Sequence, residues 1–143
     1  MTVLSDQLRE VVVQRAGNRC EYCQLPAQLQ VGGFQVDHIL ARSRGGRTEA
    51  DNLAWACPHC NAHKWAHVVG VNPESNQTVT LFNPRTQTWA DHFQWSEERP
   101  YEVVGTSAQG RATVARLQMN NPDLVSIRRL LAKLNILWKP VSS

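Results

Sequence analysis

Residues 36–64 read VDHILARSRGGRTEADNLAWACPHCNAHK. This run holds an adjacent Asp37-His38 pair, Asn52 fifteen residues after the aspartate, and Cys57-x-x-Cys60 followed at once by Asn61. Phe34-Gln35-Val36 reads as a short strand leading into Asp37 and His38. Arg42 to Asp51 is a polar, glycine-containing loop, and Asn52 to Trp55 leads into Cys57. Pro58 suits the first turn of a helix, expected to run to about Val68 and to be ended by Gly70 and Pro73. The order is strand, loop, second short strand, helix.

A second pair, Cys20-x-x-Cys23, lies upstream. Two such knuckles supply four thiolates in the number and spacing of a tetrahedral structural zinc site, each presenting two sulfurs from one tight turn. Two disulfides would require an oxidising compartment, and nothing marks this chain for export. Four thiolates leave no open position for water, so the expected Zn2+ is structural.

Outward from this centre, Ser5 followed by DQLREVVVQRA reads as a helix, with Ser5 as cap, acidic Asp6 in the first turn and Gly17 as stop. Leu8, Val11 and Val12 recur at helical spacing. Pro26 and Gly32-Gly33 punctuate the approach to residue 34. Beyond Pro73 the composition changes. Thr78–Phe82, Trp89–Trp95 and Tyr101–Gly105 read as strands. Ser107 opens a helix to about Met119, and Asn121-Pro122-Asp123 starts a last helix. Leu124, Ile127, Leu131, Leu134 and Trp138 form a stripe on it that serves as packing surface.

The 143 residues, 42% of them hydrophobic, suit one small catalytic core with an appendage. A core of about seventy residues buries a small share of its surface, a deficit that a metal staple makes up. No run of eighteen apolar residues predicts a membrane span. The N-terminus lacks the order of a signal peptide, so the expected compartment is the cytoplasm. Net charge is only +3, but from Val103 onward six basic residues (Arg111, Arg116, Arg128, Arg129, Lys133, Lys139) face one acid, Asp123. Such a cluster favours phosphate; the same charges also suit a solvated helix face.

Taken together, Asp37-His38, Asn52 and Cys57-x-x-Cys60-Asn61-x-x-Lys64 resemble the HNH endonuclease family, in the subgroup with two zinc knuckles around a ββα-metal core. The resemblance covers about Arg19 to Lys64. LFNPR, WADHF and GRATVARLQMN are similar to the tail of stand-alone bacterial HNH proteins, a likeness that brings no role with it. The implied fold class is α+β: residues 1–72 form the ββα-metal nuclease core with its N-terminal helix and zinc site, and residues 73–143 a small β-strand and two-helix extension packed on it.

The resemblance implies that His38 is the general base, that Asp37 and Asn61 hold one divalent cation (Mg2+ or Mn2+), and that Asn52 holds the loop and the histidine. Imidazole titrates near neutral pH, and oxygen ligands suit a hard cation. DNA is the implied substrate, with a protein partner from a defence, phage or mobile-element system in view. Helical spacing places Lys64 on the face of Asn61, as a phosphate contact; Arg42 and Arg44 stand in the loop where they could hold the DNA backbone. Adjacent strand residues point to opposite faces, so Asp37 and His38 serve one site only if the strand ends or distorts there. Where many relatives have proline, three residues after the histidine, this chain has Ala41, which is expected to loosen the loop.

Overall fold

A computed structural model describes residues 4–27, 33–136 and 139. Gly32 and Trp138, both named above, lie outside them. Helix α1 (Asp6–Arg15) starts where expected, because the Ser5 hydroxyl accepts from the Leu8 N–H at 3.1 Å. It ends at Gly17, whose φ of 63° turns the chain away. Val12 is fully buried, whereas Val11 is half exposed.

Strands β1 (Gln35–His38) and β2 (Leu53–Ala56) form an antiparallel ladder, with Asp37 opposite Ala54 and His38 opposite Leu53. The pairing is regular through both Asp37 and His38, and the Ile39 N–H still bonds the Asn52 carbonyl at 2.9 Å, so the strand neither ends before the pair nor distorts at it, contrary to expectation. Every residue of β2 is buried. Helix α2 (Pro58–Lys64) follows directly, capped by the Cys57 sulfur. It is shorter than expected. Trp65 leaves the helix with φ 45° and ψ −122°, and the β-branched residues that follow pair as a strand, their preferred setting.

That strand, β3 (Val69–Val71), forms a hairpin with β4 (Thr78–Thr80). The division expected after residue 72 falls in the turn of this hairpin, where Asn72 accepts from the Glu74 N–H and Asn76 takes φ 62°. Trp89–Asp91 is a short 3-10 turn where a strand was expected; only Phe93–Trp95 (β5) is extended, paired with β6 (Val103–Gly105). Helices α3 (Ala108–Arg116) and α4 (Pro122–Lys133) close the order, capped by Ser107 and Asn121. Gly110 has no room for a side chain, since a Cβ there would meet the His92 carbonyl oxygen at 2.0 Å. Thr113 fixes α3 from the other side by accepting from the Phe82 N–H at 2.9 Å. Leu124 and Leu131 are buried on α4, but Leu134 is 54% exposed.

The C-terminal basic cluster loses one member to the interior. Arg128 is buried, donating to the carbonyls of Tyr101 and Met119. Arg111 pairs with Glu74 at 3.0 Å, and the Arg129 guanidinium lies over the Tyr101 ring. One of the six charges, Arg128, is therefore spent inside the fold, while Arg116, Arg129 and Lys133 stay exposed. Among the described residues, no helix is long and apolar enough to cross a membrane.

Candidate active site and zinc centre

The four cysteines converge. Their sulfurs lie within 4.8 Å of one another, all four are buried, and none forms a disulfide. Cys20 and Cys23 sit on the turn after α1, where Gln24 takes φ 67°; Cys57 and Cys60 sit on the first turn of α2. Within each knuckle an N–H points at the leading sulfur, Cys23 toward Cys20 at 3.5 Å and Cys60 toward Cys57 at 3.3 Å. The Cys23 and Cys57 sulfurs are 3.7 Å apart. Zinc–sulfur bonds of ~2.3 Å set a tetrahedral edge of about 3.8 Å. The donor set therefore fits a structural zinc in both chemistry and spacing.

The knuckle also reaches the Asp-His pair. Tyr22, between the two cysteines, is fully buried, and its hydroxyl donates to Asp37 Oδ2 at 2.7 Å. Nothing in the spacing marks this tyrosine as part of the site. Its neighbour Glu21 bonds the Trp55 backbone on β2 and pairs with Arg85, while the Trp89 indole donates to the Tyr22 carbonyl at 2.8 Å. The C-terminal region thus clamps the outside of the knuckle.

Lys64 is not at the surface, where a phosphate contact would need it. It is 2% exposed, with its ammonium 3.0 Å from Asp37 Oδ2 and bonded to the His38 and Ile39 carbonyls. Helical spacing placed Lys64 correctly on the face of Asn61, but that face packs on β1, and the ammonium is consumed by an internal ion pair. Burial pushes the Asp37 carboxyl above its usual range, with Lys64 and Tyr22 pulling the other way. Removing one partner of a buried pair strands the other charge, at about 3–5 kcal/mol. Lys64→Met should therefore destabilise the fold by about 3 kcal/mol at pH 8, and by less near pH 5, where the stranded carboxyl can take up a proton. Urea denaturation at the two pH values measures both, and equal losses would contradict the assignment.

Asn61 stands one helical turn before Lys64, and its amide donates to Gln35. Gln35 and Asp37 share a face of β1, and α2 reaches that face through Asn61 at Gln35 and Lys64 at Asp37. Lys64 and Tyr22 occupy only part of the acceptor capacity of a carboxylate, about four lone pairs. The Asn61 carbonyl oxygen is a second hard donor, carried by the helix that packs on β1. This oxygen set suits a hard divalent cation, although Asp37 and Asn61 are each bonded to another partner.

His38 lies half-buried at the strand end. Its Nε2 is 2.9 Å from Thr48 Oγ1. Burial, then the Arg42 and Lys64 charges, hold its imidazole below the ordinary value, with Asp37 opposing them. Asn52 pins the intervening loop: its side chain accepts from the Leu40 N–H at 2.9 Å and donates to the Leu40 and Arg47 carbonyls at 3.0 and 2.9 Å. Gly46 is obligatory here, because a Cβ would lie 1.6 Å from the Leu40 carbonyl oxygen. Arg42 is exposed, and Arg44 donates from Nε to the Ala66 carbonyl at 2.8 Å. The Ala41 carbonyl accepts from both Arg44 and Gly46.

Residues 20–66 match the family model described as HNH endonuclease. The chain carries an HNH endonuclease domain. No curated protein and no solved structure matches the chain. The matched span starts at the first zinc-knuckle cysteine and ends two residues beyond α2, so it contains the cysteine quartet, Asp37, His38, Asn52, Asn61 and Lys64. The domain is of nuclease type.

Ala41, where many HNH proteins have proline, adopts φ −59° and ψ 147°, angles that proline itself prefers. Ala41→Pro should stabilise the HNH domain by about 0.4–1 kcal/mol through loss of unfolded-state freedom. A melting temperature raised by a few degrees is the expected reading; a fall would mean that the Ala41 N–H is needed.

Proposed function

We propose that this protein is a divalent-metal-dependent endonuclease that hydrolyses phosphodiester bonds in DNA. The observation that carries the reading is the placement of His38: half-buried, held in a low-pKa setting, and bonded through one ring nitrogen to Thr48 on a loop pinned by Asn52. With Thr48 accepting from Nε2–H, Nδ1 is the nitrogen left to take a proton from water. His38 then acts as general base, and the charge of Arg42 disfavours protonation of the resting imidazole. Asp37 and Asn61 would hold the magnesium or manganese ion, which when bound stabilises charge on the phosphate and on the departing sugar oxygen. Arg42 and Arg44, on the exposed loop beside His38, position the DNA backbone. Asn52 is a positioning residue that keeps loop and histidine in register.

A second reading is a zinc-stapled DNA-binding module that does not cut, or that cuts only inside a complex. The ion pair of Lys64 with Asp37 favours it, because a cation of the protein's own already stands at that carboxylate. Nicking of supercoiled plasmid with magnesium or manganese separates the two. Metal-dependent cutting by the purified chain supports the nuclease; DNA binding without cutting by the zinc-loaded protein supports the module.

A further inference from the structure

Five tryptophans are present in the sequence. Among the described ones, Trp55 is buried at 5% exposure, Trp89 and Trp95 are half-buried in a ring cluster with Phe93, and Trp65 is 74% exposed. No other large apolar side chain among the described residues is as exposed. Its backbone is also strained, since φ 45° with ψ −122° is a conformation that glycine enters freely and a bulky aromatic only against steric resistance. Strain of this kind is ordinarily offset by what the side chain gains from packing. Here the indole packs on little more than His67, whose ring meets it edge-on at 5.9 Å.

The surroundings indicate what this indole faces. Trp65 follows Lys64 directly, at the end of the helix that carries Asn61. Arg44 bonds the carbonyl of Ala66, the next residue, at 2.8 Å, which fastens the arginine loop to the Trp65 turn. Arg42 stands on the same 3-10 turn as Arg44, four residues beyond His38. An exposed aromatic, two exposed arginines and the strand-end histidine therefore occupy one edge of the domain. A flat apolar ring beside cations matches a ligand with a π-face attached to an anion, which is the chemistry of a nucleotide in a single strand. A base locked inside a duplex stack does not offer that face.

We infer that Trp65 is a stacking platform for an unpaired nucleobase next to the phosphate held at His38, so that the preferred substrate is single-stranded or locally unpaired DNA. The inference rests on the nuclease reading and adds the form of the substrate. The test is equilibrium binding of the zinc-loaded full chain to labelled oligothymidylate and to a duplex of equal length, without added magnesium or manganese. Trp65→Gly removes the ring and relieves the backbone, so folding is retained; Trp65→Phe keeps a stacking face. Single-strand affinity should fall ~5- to 100-fold in the glycine variant, the loss of one stacked base. It should stay within about threefold in the phenylalanine variant, while duplex affinity moves by less than about twofold. A glycine variant that binds single strands as the native protein does, or that loses duplex affinity equally, overturns the inference and leaves plasmid cutting untouched as support for the nuclease. Native protein that binds neither DNA also overturns the inference, and plasmid cutting with magnesium or manganese then decides the nuclease reading by itself.

Discussion

His38→Ala should yield a folded, zinc-loaded protein that nicks supercoiled plasmid ~10²- to 10⁴-fold more slowly than the native chain, the usual contribution of a positioned general base. The fold should tolerate the change. His38 is the last residue of β1, its side chain is half-buried, and its described side-chain hydrogen bond goes to one loop hydroxyl. Its neighbour Asp37, by contrast, sits under α2 with two partners. The pH profile adds a signature that a structural role would not give. A base must be deprotonated to act, and His38 is held below the ordinary histidine value of ~6.5 by burial and by Arg42. The acid limb of the native rate should therefore lie below that value, with activity rising through it to a plateau at neutral pH. Arg42→Gln removes one depressing charge and should move the limb upward. If His38→Ala cuts as fast as the native protein, or if the limb stays in place in Arg42→Gln, His38 is not the base.

How much of this was legible in the sequence depended on the range of the interaction. The helix starts at Ser5, Ser107 and Asn121 were readable because a cap is a contact across two or three residues. The cysteine quartet was readable because two knuckles at that spacing have few other uses. The burial of Lys64 was not, since it depends on a carboxylate 27 residues away and on the tilt of α2 over β1. Helical spacing supplied the right face but not what the face meets. Arg128 failed in the same way: its charge looked available until the Tyr101 and Met119 carbonyls were placed around it. Tyr22 left no trace at all, because a tyrosine inside a zinc knuckle is unremarkable until Asp37 is brought to 2.7 Å. The end of α2 was misjudged by about four residues, because the pairing of Val69–Val71 with Thr78–Thr80 outweighs local helix propensity.

Zinc removal should unfold more of the molecule than the four ligands themselves. Zinc binding contributes ~10–16 kcal/mol in small zinc modules, as much as the whole stability of an ordinary domain, ~5–15 kcal/mol. The knuckle here is also a junction. Through Tyr22 it holds Asp37, through Glu21 it holds the Trp55 backbone and Arg85, and through the Tyr22 carbonyl it holds Trp89. The second knuckle starts α2, and His59 within it bonds the carbonyls of Leu117 and Gln118 beyond α3. Each connection runs between segments far apart in sequence, so none outlasts the loss of the quartet that holds the segments together. Cys60→Ser should abolish stable zinc retention, measured as metal per chain, and lower the melting temperature by well over ten degrees. Chelation of the native protein under reducing conditions should have the same effect and be reversed by added zinc but not by magnesium. Without metal, hydrogen bonding among the neighbouring sulfurs, and then burial, drive the Cys57 and Cys60 thiols upward; four crowded sulfurs ionise together only around a cation. A chelated protein that keeps its melting temperature would show that the apolar core suffices and that the quartet is only a local staple. The buried path from Cys20 and Cys23 through Tyr22 to Asp37 predicts the opposite, with loss of zinc and loss of the site as a single event.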